Sequence, residues 1–241
     1  MAISASESGE RWIRDVARGI DGWLTDDEAR YLWALAGAGP GRGVVVEIGS
    51  SRGKSTVVLA AASRAAGREG VVAIDPHLHH ASEATFRANV ARAGLGELVR
   101  PLVMRSDEAV VGWREPIRLL WIDGAHDYDS VRADWEGWAP FVVAGGVIAF
   151  HDTFSWDGPR RLVEEVLFQR RDLAVIGIVD SITAFRTVGA PTAAARLRSA
   201  AFRRLRRLHE LGRQRRLPGE LRRAVRWTLR ALSRAATPRA R

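Results

Sequence analysis

From residue 44 onward, continuous apolar runs alternate with segments of helical period. The runs are VVVEIG (44–49), VVAID (71–75), LVRPLVM (98–104), IRLLWID (117–123) and GGVIAFHD (145–152). Between them, KSTVVLAAASRAAG (54–67) and SEATFRANVARAG (82–94) predict helices, as does a stretch around 130–139. That stretch places Val131, Trp135 and Trp138 at i, i+4 and i+7, one face for packing on a sheet. Short apolar strands taking turns with helices predict an α/β fold, a mostly parallel sheet covered on both faces. Pro101 cannot donate to a ladder, which places its strand at an edge. A further helix is predicted near 158–170. LAVIGIV and SITAFRTV, with only Asp180 between them, predict a closing antiparallel pair.

The two ends of the chain differ from this middle. Residues 9–38 read as helical, with Trp12, Val16, Ile20 and Trp23 on one packing face. TDDE at 25–28 has the form of a capping box, and GAGPGRG at 37–43 breaks the helix. After Pro191, FRRLRRLHEL and LRRAVRWTLRAL predict two basic amphipathic helices split by Pro218–Gly219. Their apolar stripes are 202, 205, 208, 211 and 221, 225, 229, 232. The organisation expected is a helical segment (1–40), a ligand-binding α/β domain (41–190) and an Arg-rich tail (191–241).

Charge sharpens that division. The net +9 of the 241 residues is uneven: residues 193–241 hold 16 Arg and two Glu, leaving −5 on the rest. The absence of cysteine excludes disulfides, zinc–thiolate centres and thiol nucleophiles. The N-terminus lacks the apolar segment of a secretory signal, and no uncharged run approaches the ~18 residues of a membrane span. A cytoplasmic protein is expected.

Candidate chemistry gathers where the strands end. VEIGSSRGKST joins the first strand to a helix through a glycine turn, a place where backbone N–H groups meet a ligand. The spacing Gly49-x-x-x-Gly53 is neither the dinucleotide fingerprint nor a Walker loop. Glu47 beside the turn favours a ligand with a positive or hydroxyl-bearing end. Asp75 ends the second strand, where a carboxylate accepts ribose hydroxyls. Ser106 and Asp107 follow the third. The fourth strand runs into Asp123, Gly124, Ala125 and His126, and the fifth into His151 and Asp152.

Together, Glu47-Ile-Gly49-Ser-Ser51-Arg-Gly53, Asp75 and the IDGAH…GGVIAFHD block resemble class I S-adenosylmethionine-dependent methyltransferases. The closer resemblance is to the group with D-G-x-H after strand four and H-D or E-D after strand five, which includes small-molecule and sugar O-methyltransferases, some of them magnesium-dependent. It covers roughly residues 20–188. The resemblance implies a Rossmann-like, seven-stranded sheet of order 3-2-1-4-5-7-6. It implies S-adenosylmethionine held by Glu47, Gly49, Ser51, Gly53, Ser55, Asp75, Ser106 and Asp123, with Asp107 the alternative to Ser106. In that order strands four and five are neighbours, so Asp123 and Asp152 emerge side by side.

The same resemblance implies Asp123 and Asp152 as ligands of Mg²⁺ or Mn²⁺ and His126 as general base. His151 stands where metal-dependent relatives often carry Glu. It is the competing catalytic candidate, and the third metal ligand is unassigned. Asp127 and Asp129 are read as solvated. The HLHH tract at 77–80 is read as lining the mouth of the site rather than binding metal.

The reaction expected is methyl transfer to a hydroxyl of a small acceptor, a sugar among the candidates, by a homo-oligomeric enzyme. RNA methylation anchored by the tail is the alternative, opposed by the acidic body and by a tail with only Phe202 and Trp227 as aromatics. A non-catalytic module that docks its basic helices on a membrane surface or a partner is the third reading.

Overall fold

A computed structural model describes residues 5–39, 42–78, 82–190, 192–213 and 217–236. Seven strands form one sheet: β1 (Val44–Ile48), β2 (Val71–Ile74), β3 (Val99–Leu102), β4 (Ile117–Ile122), β5 (Val142–Phe150), β6 (Leu173–Val179) and β7 (Ile182–Thr187). Their order is β3-β2-β1-β4-β5-β7-β6, as expected. The first five are parallel, and β7 runs antiparallel between β5 and β6. Pro101 lies on the edge strand β3, where its missing N–H costs no ladder bond.

Helices cover both faces. On one lie α1 (Ala5–Asp15), α2 (Asp26–Gly37), α3 (Lys54–Ala65) and α4 (Ser82–Arg92). On the other lie α5 (Ser106–Ala109), α6 (Tyr128–Trp138) and α7 (Asp157–Arg161). Val131, Trp135 and Trp138 of α6 are all buried against the sheet, as their spacing requires.

The helical reading of 9–38 needs correction. Helix α1 stops at Asp15, a single 3₁₀ turn follows at Ala17–Gly19, and α2 starts afresh at Asp26. The capping box explains the restart: Thr25 Oγ1 accepts from Glu28 N, and Glu28 accepts from Thr25 N. Ile20 stays in the core, but Trp23 lies in the connecting loop, 94% exposed, and joins no packing face. The helix expected over 158–170 is also irregular. After α7 it widens into a π turn (Leu162–Val166) and tightens into a 3₁₀ turn (Leu167–Gln169).

The tail forms α8 (Ala193–Arg213) and α9 (Gly219–Ala236), both packed on β6. Phe202, Val225 and Leu229 are buried there, each contributing roughly 1.5–3 kcal/mol of apolar burial. The expected stripe is wrong at three of its eight positions. Leu208, Leu211 and Leu221 are exposed, and the face of α8 turned inward carries Ala195, Phe202 and Arg206. Arg206 is 1% exposed. A charged side chain replaces a leucine in the buried row because the strand ends beneath it offer oxygens to its guanidinium.

Candidate active site

The loop after β1 is shaped by close backbone approach. Gly49 has φ +87, and a Cβ there would lie 2.1 Å from the Asp123 carbonyl oxygen, so only glycine fits between β1 and β4. Gly53, φ +86, opens α3 with Phe86 against it. Asp75 ties this loop to the next: Oδ2 accepts from Ser51 N at 2.8 Å and Oδ1 from His77 N at 2.7 Å. Each carboxylate oxygen keeps a second lone pair for a ligand hydroxyl. His77 turns its ring to Ser82 and Phe86, while His79 and His80 of the HLHH tract lie outside the described residues.

Glu47 lies beneath the loop, fully buried. Its two oxygens accept from Ser55 Oγ and Thr56 Oγ1, both at 2.5 Å. Burial pushes its carboxyl up to about 8 against those two hydrogen bonds. Ser55 thus spends its hydroxyl on Glu47, inside the protein. Ser106 donates to Asp134 of α6, a buried acid that sequence reading missed. Burial raises the Asp134 carboxyl as well, with the Ser106 bond opposing. Asp107 is exposed and paired with Arg105.

At β4 and β5 the register sets the chemistry. Ile122 is level with Phe150, so His151, rather than Asp152, is level with Asp123. His151 Nδ1 lies 3.0 Å from Asp123 Oδ1, and Nε2 lies 3.4 Å from Glu28 Oε1, which reaches in from α2. His151 is 4% exposed and Glu28 2%. Glu28 Oε1 also accepts from Ser181 N and Oγ.

Burial alone would lower the imidazole pKa, but the two carboxylates outweigh it and hold His151 up at about 11. Burial would raise Glu28, but His151, Ser181 and Thr25 bring it down to about 2. His151 thus lies between two acids that favour its charged form, Nδ1 bonded to Asp123 and Nε2 buried facing Glu28 without a hydrogen bond. Neither ring nitrogen is open to take a proton from a ligand, which leaves it poorly suited to act as base.

Asp152 has φ +53, a left-handed conformation that turns its side chain back over the strand end. Its Oδ2 lies 3.1 Å from His126 Nε2. Burial opposes ionisation, yet the His126 bond and the His151 charge hold the carboxyl below its usual range. An ionised carboxylate only accepts, so the ring nitrogen facing it, Nε2, is the one that carries a hydrogen. The His126 ring stacks on Trp156 at 4.9 Å between centroids, 28° from parallel. Asp123 is raised by burial, with His151 opposing.

Asp123, His126 and Asp152 each offer one ligand atom within 4.8 Å of the others. Two carboxylate oxygens and an imidazole suit Mn²⁺ better than Mg²⁺. Asp127 is instead the N-cap of α6, accepting from Ser130 N, and Asp129 is exposed.

The tail reaches this edge. Arg206 donates from Nη1 to Thr153 Oγ1 (3.2 Å) and Thr183 Oγ1 (3.1 Å), and from Nη2 to the Thr153 carbonyl. Its Nε faces Glu164 Oε1 at 3.3 Å, and the guanidinium covers the Phe154 ring at 4.0 Å. Arg213 donates to Ser155. The segment directly after Asp152 is thus held by α8.

Residues 46–153 match the family described as Methyltransferase domain. Solved structures share the architecture. Cofactor-bound Rv0187 from MTB has a TM-score of 0.57 at 21% identity, covering 78% of this chain and 92% of that one. The O-methyltransferase TomG from Streptomyces achromogenes, in complex with SAM, gives 0.56 at 19% identity with the same coverage. An rRNA methylase from Streptococcus thermophilus gives 0.54 at 15%, covering 69% of this chain and 99% of that one. At such identities the likeness is one of fold, and acceptors as different as these sit on it. With the glycine loop, Asp75 and the paired strand ends in place, residues 46–153 match a methyltransferase domain set in a Rossmann-like, seven-stranded fold.

Proposed function

We propose that this domain transfers a methyl group from S-adenosylmethionine to a hydroxyl oxygen of a small acceptor, with His126 as general base. One observation carries the reading: His126 and Asp152 form an oriented pair, and Asp123 abuts Gly49 of the cofactor loop. The transfer is a displacement at carbon, so the protein's part is alignment, proton removal and exclusion of water. Asp152 fixes the His126 tautomer, leaving Nδ1 to take the hydroxyl proton. Trp156 gives a flat wall for an acceptor ring. The fixed His151 cation keeps Asp123 and Asp152 from repelling each other.

The oxygens left free, Asp123 Oδ2 and Asp152 Oδ1, are the donors a divalent ion would use. Such an ion would lower the pKa of a coordinated hydroxyl. A sugar or other polyol is the acceptor class this reading favours, in a cytoplasmic homo-oligomer. No helix among the described residues is long and apolar enough to cross a membrane.

The test is an acceptor screen that reads S-adenosylhomocysteine release, run with EDTA, Mg²⁺ and Mn²⁺, and with structured RNA among the acceptors. Turnover of a hydroxylated small molecule supports the reading. Turnover of RNA alone transfers the activity to the RNA reading. Full turnover in EDTA removes the metal from it.

A further inference from the structure

Across the sheet from the active site lies a cleft of about 650 Å³. It opens between the 3₁₀ turn after α7, the start of β6 and the N-terminal half of α8. Phe168, Leu173, Val175 and Phe185 give it an apolar floor. Its rim carries Arg170, Arg171, Arg196, Arg203, Arg204 and Arg207. Because β5 and β6 are both antiparallel to β7, Leu173 lies at the edge where the parallel strands begin. Asp123 and Asp152 lie where those strands end, so the cleft is separate from the methyl-transfer site.

Most cations of this rim are not balanced by the protein. Arg170 pairs with Asp172 at 2.6 Å. Arg203 donates from Nη2 to the Phe168 carbonyl, while its Nε is buried without a partner. Arg171, Arg196, Arg204 and Arg207 have no carboxylate within ion-pair distance among the described residues. Arg222, Arg223 and Arg226 of α9 likewise have no carboxylate within ion-pair distance among the described residues, so what sets the rim apart is the apolar floor beside it.

Guanidinium forks match phosphate oxygens in pairs, and ringing an apolar floor with them suits an anion joined to an apolar or aromatic body. We propose that this cleft binds a phosphate-bearing ligand whose phosphates meet the rim arginines and whose ring or chain lies on Leu173 and the edge of Phe168. Nucleoside diphosphates and anionic lipid headgroups share that chemistry.

The experiment uses the full chain and three probes: UDP by calorimetry, vesicles of phosphatidylcholine with and without phosphatidylglycerol by sedimentation, and an RNA oligonucleotide. Arg204→Glu with Arg207→Glu reverses two rim charges at exposed positions. Arg223→Glu with Arg226→Glu makes the same charge change on α9, outside the cleft. Expected is binding of UDP or of phosphatidylglycerol vesicles that weakens at least ~10-fold in the rim variant and less than ~2-fold in the α9 variant. Whichever probe shows that pattern names the source of the phosphate. Equal loss in both variants, binding of RNA alone, or no binding of any probe overturns the proposal. Circular dichroism confirms that both variants are folded. Cofactor binding by the same proteins separates failure here from failure of the methyltransferase reading.

Discussion

The two halves of the sheet's carboxyl edge are built from different materials. Around β1 and β2 the site is made of backbone: Gly49 lies against the Asp123 carbonyl, and Asp75 holds the amides of Ser51 and His77. Apart from that β4 carbonyl, these contacts lie within residues 47–77. Around β4 and β5 the site is made of charged side chains from remote segments. Glu28 comes from α2, His126 and His151 from two strand ends, and Arg206 from α8. Changes in the first half should act locally on cofactor affinity. Changes in the second should spread, because Glu28, His151 and Arg206 are each buried against a partner that becomes an orphan when it is removed.

The sharpest test of this difference is His126→Ala. Removing the proposed base should lower kcat about 10²–10⁴-fold, on whichever acceptor the screen identifies, while calorimetry finds S-adenosylhomocysteine affinity within about twofold of the parent. A comparable loss of cofactor affinity would mean that the two halves are not separable.

Glu28→Gln tests the most remote member of the charged half. It leaves the His151 imidazolium with one carboxylate fewer, and urea denaturation at neutral pH should find about 3–5 kcal/mol of stability lost. The pH dependence carries a sign. Glu28 titrates near 2 in the folded chain against an ordinary 4.5, so its contribution is complete above 4.5 and lost as pH falls toward 2. His151 titrates near 11 against 6.5, so its contribution is complete below 6.5 and lost as pH rises toward 11. The parent should have a stability plateau between those limits, and its acid limb should be shallower in the variant.

Arg206→Ala comes next. It removes every donor to the Thr153 carbonyl and to Glu164 that α8 supplies, a loss of about 3 kcal/mol. Because Thr153 follows Asp152, kcat should fall more than cofactor affinity. Unchanged stability and unchanged kcat would reduce the α8 contact to surface decoration.

These sites explain what could be read in the chain beforehand. The sheet order, the edge position of Pro101 and the buried face of α6 follow from local periodicity and backbone chemistry, which adjacent residues encode. Glu28 was read correctly as a capping residue from its spacing to Thr25, yet its other oxygen serves His151, and no local pattern signals that. Arg206 was hidden for a related reason. Periodicity assigns buried positions to leucines, whereas here the bonds available at Thr153 and Thr183 decide which residue turns inward. Asp134 was overlooked because one acid on a helix is ordinarily solvated, and only Ser106 above it reveals its burial.

Asp75→Asn returns to the backbone half. Asn keeps the shape and one acceptor but offers an amide N–H₂ to a position that now accepts from an amide. Loss of a charged acceptor is worth about 1.5–3 kcal/mol, or roughly 10- to 100-fold in S-adenosylhomocysteine affinity, with stability little changed. A large drop in stability would place Asp75 with the long-range group.

Glu47→Gln should have the smallest effect, and its sign should change with pH. The parent carboxyl is held up at about 8 by burial, so between 4.5 and 8 the unfolded chain ionises it while the folded chain keeps the proton. The parent therefore loses stability as pH rises across that window. Gln does not ionise and escapes this loss. With its proton kept, the parent carboxyl donates one O–H and accepts at its other oxygen, whereas Gln accepts at one oxygen and brings two N–H donors, one of which lacks a partner there, at a cost of about 1 kcal/mol. At pH 5 the variant should be slightly less stable than the parent, and by pH 8 at least as stable. Denaturation curves at both values test this. A variant that stays less stable by the same amount at both would show that Glu47 is ionised throughout, and that the glycine loop rests on a buried charge.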